Sequence, residues 1–369
     1  MSTQKPVILI IDDDPSDGRN LQRGVGKERA EVVIRTPDDF RKGDLQRADL
    51  VLVDHELDAW PGVSSGLTSP PNGLALSAVI RERINELTRG NVTAVALWSG
   101  KVDRIAASLP SELRSFAFAR LNNLEWVFAK DHPDVPTGVV SLAVAIKQLP
   151  RSWPQEPAGA TRQLHKLLGL NSEFSFFPTA VDDVEACHPP IHELSEATHA
   201  LTVIRWIAHR ILPYPAFLVD RVGLAARLRL DLEELDRILK NSSKLAHCLK
   251  EVEYRGVLSD LYGKHWWRSG LDSLVFELTS GTSEIDRLQS ELDRLAGANL
   301  KFLDHEVVPG IGESYRPTEL VPVSNAVRLR LDDWPPFADA AWAEREQVAE
   351  SDALRGLVLP LDSELLSAA

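Results

Sequence analysis

The stretch that most restricts the fold of this chain is Val7 to Pro15, VILIIDDDP, in which five consecutive apolar residues run into three adjacent aspartates. A segment that is apolar at every position, and not at alternate ones, is the pattern of a strand buried on both faces of a helix-covered parallel sheet. Ala48 to Asp54, ADLVLVD, repeats this grammar. As neighbouring parallel strands, the two would deliver Asp12, Asp13 and Asp54 to the crevice at the strands' carboxyl ends, where open α/β sheets bind ligands. Carboxylates gathered there suppress one another's ionisation unless a cation screens them. A hard divalent ion, Mg²⁺, is the expected partner.

The rest of the first half extends the pattern. Pro15, with Asp14 before it, opens a helix to about Gly26, and EVVIR (residues 31–35) is a short strand. Residues 37–42 read as a brief helix. His55 to Pro71, rich in Gly, Ser and Pro, reads as loop, and residues 72–87 as an amphipathic helix. VTAVALW (92–98) is a fourth strand, ending in Ser99. A helical segment over 102–120 is interrupted by Pro110, LEWVFA (124–129) is a fifth strand ending at Lys130, and residues 137–148 close with a helix. Strands alternating with helices argue for a five-stranded, doubly wound parallel sheet over residues 1–150.

The acidic pair Asp12-Asp13, Asp54 after the third strand, Ser99 after the fourth and Lys130 after the fifth stand in the order found in the receiver domain of bacterial response regulators, which residues 5–149 resemble. The resemblance implies a flavodoxin-like fold with Asp54 as phosphoacceptor. It implies Mg²⁺ held by Asp12, Asp13, Asp54 and the backbone carbonyl of Glu56, and phosphoryl oxygens met by Ser99 and Lys130. It further implies a histidine kinase or other phosphodonor as partner. A carboxylate attacking a phosphoryl group needs a cation and fixed donors for the equatorial oxygens, so the residue types suit the chemistry. The chain departs from the family in the long loop around WPGVSSGLTSPP, in the long Ser99–Lys130 interval and in Asp131, where proline is usual. The family's switch aromatic falls on Val127, flanked by Trp126 and Phe128, which become the interface candidates.

Several classes are disfavoured by composition. No leader and no apolar run of about 20 residues is seen, so no membrane association and a cytoplasmic location are expected, and two cysteines give no disulfide framework. Residues 151–369 hold 23 Lys+Arg against 34 Asp+Glu, most of the net charge of −13, which argues against nucleic acid.

RSWPQEPAGA (151–160) reads as a linker to a second, mainly helical α+β domain over 161–369. Within it, helices are expected at 161–168, 193–212 and 283–296, a strand at 327–331 and a helix at 338–349. The passage from 169 to 190 reads as irregular. Residues 222–240 have the rhythm of a helix-turn-helix breaking near Asp231, but Asp231, Glu233, Glu234 and Asp236 would repel a phosphate backbone. Cys187, His188, His192, His199, His247 and Cys248 are zinc-type ligands without a recognised zinc spacing. YGKHWW (262–267) suits an aromatic interface. The expectation is a signalling protein in which phosphorylation of Asp54 controls a helical output domain through an unknown protein partner. The alternatives are a phosphorylation-independent adaptor and, less favoured, a DNA-binding regulator; homodimerisation is left open.

Overall fold

The computed structural model describes residues 4–60, 70–87, 92–105, 107, 114–196, 200–282, 284–312, 316–332 and 334–366. The chain divides into two compact units. The first comprises Met1–Gly169, Pro190–His209 and Gly256–Tyr262; the second comprises Leu170–Pro189, Arg210–Arg255 and Gly263–Ala369.

The first unit is built on β1 (Val7–Ile11), β2 (Glu31–Arg35), β3 (Leu50–Asp54), β4 (Ala94–Ser99) and β5 (Trp126–Ala129). These form one parallel sheet in the flavodoxin-like order β2-β1-β3-β4-β5. The apolar runs of β1 and β3 are buried at every position, as strands covered on both faces must be. Leu9, Ile11, Val51, Val53 and Leu97 share one face of the sheet core, packed with Ile80.

Helices α1 (Pro15–Val25), α2 (Lys42–Arg47), α3 (Gly73–Asn85), α4 (Val102–Ile105), α5 (Arg114–Leu121) and α6 (Val135–Gln148) connect or follow the strands. Their starts are set by local chemistry. The Asp14 carboxylate accepts from the Ser16 amide at 2.9 Å with Pro15 opening α1, and the Asn72 side chain accepts from the Ala75 amide at 3.0 Å to open α3. The helix expected over 37–42 lies further on, at Lys42–Arg47, because Asp44 reaches back to accept from the Arg41 amide at 2.9 Å and fixes the start there. Pro110, expected to break 102–120, lies outside the described residues.

Residues 157–167 form a helix that begins inside the stretch read as a linker, with Pro157 in its first turn. The single helix expected over 193–212 is instead Ile191–Glu196, then Leu201–Trp206 running into a π-helical turn over Ile207–Ile211, with residues 197–199 outside the described set.

The second unit is mainly helical with a mixed sheet. Its helices include Phe177–Ala186, Arg221–Leu228, Leu232–Leu239, Lys244–Glu251, Arg268–Thr279 and Ile285–Ala296. Phe177–Ala186 falls in the passage read as irregular; Pro178 in its first turn is tolerated there because its missing N–H would be unpaired in any case. The break near Asp231 is present: Arg229 turns left-handed with φ 54° and Asp231 caps the next helix, whose Leu235 and Ile238 are buried core residues.

A two-stranded ribbon joins β6 (Leu218–Val219) to β7 (Trp266–Trp267). A four-stranded sheet in the order β10-β11-β8-β9 is formed by β8 (Val307–Ile311), β9 (Pro317–Pro322), β10 (Ala326–Leu329) and β11 (Ala341–Glu344). Here the helix expected over 338–349 is overturned in its first half. Ala341–Glu344, despite helix-forming alanines, is held extended by antiparallel pairing with Ala326–Leu329 and buries Ala341 and Ala343; only Arg345–Glu350 is helical.

One glycine is required by close packing beside the end of β3. The Gly73 amide donates to the His55 carbonyl at 2.9 Å, and a Cβ at Gly73 would lie 1.7 Å from the Asp54 carbonyl oxygen. Gly73→Ala is therefore expected to lower unfolding stability by about 2 kcal/mol or more, since backbone must move to admit the methyl group. Urea denaturation measures this, and an unchanged midpoint would show that the contact relaxes without cost.

Candidate metal centre

The backbone ladders bring the sequence-predicted residues together. Ile11 pairs with Val53, Asp54 with Trp98 and Ser99 with Ala129, and the Lys130 amide then donates to the Ser99 carbonyl at 2.9 Å. The residue after β1, the last of β3, the last of β4 and the residue after β5 thus emerge at one edge of the sheet. Asp12, Asp13 and Asp54 offer carboxylate oxygens all within 4.8 Å of one another, and among the described residues no other group of three His, Cys, Asp or Glu side chains is so placed. The cysteines and histidines considered as zinc ligands do not form such a group there; His199 lies outside the described residues.

Lys130 closes the constellation. Its ammonium lies 2.9 Å from Asp54 Oδ2, 2.9 Å from Asp17 Oδ2 and 3.5 Å from Asp12 Oδ2, and 4.7 Å from the centre of the Trp98 ring. Asp12 is fully buried and Asp54 nearly so. Burial and the neighbouring Asp12 charge push the Asp54 carboxyl up to about 7 against the opposing pull of Lys130. Burial likewise raises Asp12. Burial alone would lower Lys130, but its hydrogen bonds and ion pairs with Asp17, Asp54 and Asp12 outweigh that and hold the ammonium above its ordinary range.

The donor set fits a hard cation. Asp12 Oδ1 accepts from the Asp14 amide at 2.8 Å, whereas Asp12 Oδ2 is buried without a hydrogen bond and has only the longer Lys130 ion pair. An oxygen taken out of water and left without a hydrogen bond is costly, and a cation bound by Asp12, Asp13 and Asp54 would complete it. Asp13 is half-buried and accepts from the Ala59 amide at 2.6 Å, which ties the β3–α3 loop to the site. The Glu56 amide donates to Asp54 Oδ1 at 3.3 Å.

Two participants are not apparent from sequence. Asp17 grips Lys130 from the first turn of α1, a position where an acidic residue already has an ordinary role at the positive end of a helix. The Glu56 side chain accepts from the Ser99 hydroxyl at 3.1 Å and lies 3.9 Å from Lys101, so the side chain as well as the backbone of Glu56 belongs to the site.

Trp126 and Phe128 are both on β5 and both buried. Trp126 stacks on His209 at 6.0 Å and meets Tyr262 edge-on at 4.9 Å, within the first unit. His209 Nε2 lies 2.9 Å from the Glu125 carbonyl, which accepts from it, and burial pushes the imidazole down to about 4. The Glu125 carboxylate, fully buried, is bound by Arg81 and Arg205 and accepts from the Val95 amide at 2.6 Å.

No helix among the described residues is long and apolar enough to cross a membrane. Fold and site together define an α/β protein with a flavodoxin-like sheet and an acidic cluster that could hold a metal ion at its carboxyl edge. No protein-family model matches the chain, and no curated protein matches it.

Two outcomes follow from the electrostatics. Lys130→Ala leaves Asp12 and Asp54 buried without their counter-charge, so a loss of about 3 kcal/mol is expected at pH 8. The loss shrinks at pH 5, where Asp54, with its raised pKa, is protonated; denaturant melts at the two pH values read this directly. A cation must displace the Asp54 proton, so Mg²⁺ affinity should increase as pH rises towards about 7 and level off above it. Thermal shift with Mg²⁺ at pH 6 and pH 8 checks the sign: equal shifts would place the ion elsewhere.

Proposed function

We propose that the first unit is a receiver-type phosphoacceptor of a cytoplasmic two-component signalling protein and that Asp54 is the residue phosphorylated. The observation that carries this reading is Lys130, whose ammonium lies 2.9 Å from Asp54 at the edge where Asp12 and Asp13 also converge. The chemistry is transfer of a phosphoryl group from a phosphohistidine or a small phosphodonor. An Asp54 carboxylate oxygen forms the new O–P bond as the donor's P–N or P–O bond breaks, and the leaving group departs with the bonding electrons. Asp12, Asp13, Asp54 and the Glu56 carbonyl would hold Mg²⁺, which screens the charge shared by nucleophile and phosphoryl group.

Lys130 and Ser99 are the donors for the phosphoryl oxygens. Both are engaged in the structure described here, Lys130 by Asp17 and Ser99 by Glu56. Phosphorylation would draw each towards the new anion and away from these carboxylates, a local change that would regulate a helical output domain acting on a protein partner.

The Ser99–Glu56 bond also favours a second reading, a phosphorylation-independent adaptor, because it places a carboxylate on the hydroxyl that a phosphoryl oxygen would need. Intact mass after incubation with Mg²⁺ and acetyl phosphate or phosphoramidate separates the two. The expected result is one added phosphoryl group, absent in Asp54→Asn and lost on EDTA treatment before donor addition. No Asp54-dependent mass gain with either donor would leave the adaptor reading standing.

A further inference from the structure

A cavity of about 670 Å³ lies wholly within the second unit, and the strand register shows why it is there. The Glu306 carbonyl accepts from the Val323 amide at 2.8 Å, so by the alternation of an antiparallel ladder the backbone of residue 309 turns away from β9 and towards β11. That residue is Pro309, which has no N–H to donate. Parallel pairing of β8 with β11 is accordingly confined to Gly310 and Trp342. The cavity opens where the ladder fails: Val307, Val308 and Pro309 line it, and so do Asp339 and Ala340, the residues just before β11.

Its walls are mainly apolar, the usual form of a small-molecule site of this size. Val275, Val308, Trp334 and Trp342 are only half-buried, and Phe276 is 65% exposed, so apolar surface remains for a ligand to cover. Charge enters through one chain of ion pairs. Arg227 lies 3.1 Å from Asp272 and 3.6 Å from Asp339, and Arg268 spans Asp339 at 3.1 Å and Asp183 at 3.0 Å. Three carboxylates here meet two guanidinium groups, which leaves one negative charge uncompensated. The Arg229–Glu306 pair, also on the wall, is balanced and does not offset it. Asp272 and Asp339 line the cavity with 56% and 47% of their side-chain surface accessible, so the surplus is presented to whatever enters.

We infer that this cavity binds a small organic cation, a protonated amine on an apolar body, with the ammonium held by Asp272 and Asp339 and the body packed against Val275, Val308 and Trp334. An anion would meet the surplus negative charge, and a neutral ligand would leave it unmet. A cation also suits the electron-rich faces of the two tryptophans on the wall. The site is independent of the proposed phosphoacceptor chemistry, and it gives the second unit a ligand of its own.

The test uses the full chain, labelled with ¹⁵N at its tryptophan indoles and free of Mg²⁺. It is titrated with phenethylammonium and tryptamine, and in parallel with 2-phenylethanol and 3-phenylpropanoate, which keep the phenyl body and change the charge of the head group. Of the nine tryptophans, Trp334 and Trp342 are expected to show indole shifts that saturate with the two amines, and Trp334→Phe and Trp342→Phe identify their resonances by removing them. Asp272→Asn, at an exposed position, should weaken amine binding about tenfold, the loss of one charge-assisted contact. Val308→Trp, which fills the cavity, should abolish it. No saturable shift with either amine at millimolar concentration, an affinity for the alcohol or the propanoate equal to that for the amines or above it, or unchanged amine affinity in Asp272→Asn would each overturn the assignment. Ligand-observed saturation transfer reads the same affinities and keeps the test decisive even where a tryptophan variant does not fold.

Discussion

One ammonium group holds the candidate site together. Lys130 faces Asp12 and Asp17 from the β1–α1 junction and Asp54 from the end of β3, with Asp12 and Asp54 almost wholly withdrawn from water. In such surroundings like charges interact far more strongly than at the surface, and a single counter-charge cannot neutralise three acids. The remainder appears as the raised pKa of Asp54 and as the Asp12 oxygen that is buried without a hydrogen bond. A cation bound among these carboxylates would relieve both, and local conflict of this kind is what functional sites retain at the expense of stability.

The sheet makes that conflict tolerable. Parallel pairing carried to Asp54 and Trp98, and to Ser99 and Ala129, fixes each strand end by backbone hydrogen bonds that do not depend on the charged side chains. The close seat of Gly73 against the Asp54 carbonyl, and the Asp13 bond to the Ala59 amide, tie the start of α3 and the preceding loop to the same edge. Rigid support of this kind lets mutually repelling groups stay within reach of one another.

At β5 the chain supplies its own cover. Glu125 is clamped between Arg81 and Arg205, and the π-helical turn over Ile207–Ile211 carries His209 to the Glu125 carbonyl and onto Trp126. Insertion of a π turn rotates the residues that follow it, which is why such turns recur where a helix must deliver a side chain to a fixed point. Trp126 and Phe128 are thus internal contacts of the first unit, and a displacement of β5 would be felt first by His209 and Tyr262.

The sequence by itself determined the sheet and the residues at its carboxyl edge. Unbroken apolar runs such as VILII and LVLV, β-branched and too short for a buried helix, read as buried strands of about their own length, and the aspartates, serine and lysine at the ends of neighbouring parallel strands then emerge together. Helix starts were legible where a side chain binds its own backbone, as at Asp14 and Asn72. What only the tertiary structure decided depends on partners remote in the chain. Asp17 and the Glu56 side chain acquire their roles from Lys130 and Ser99, 113 and 43 residues away. Ala341–Glu344 becomes a strand because Ala326–Leu329 offers it a ladder. Local periodicity and capping are written within a few residues of one another, whereas ion pairing, edge pairing and desolvation are set by whichever distant groups the fold places nearby.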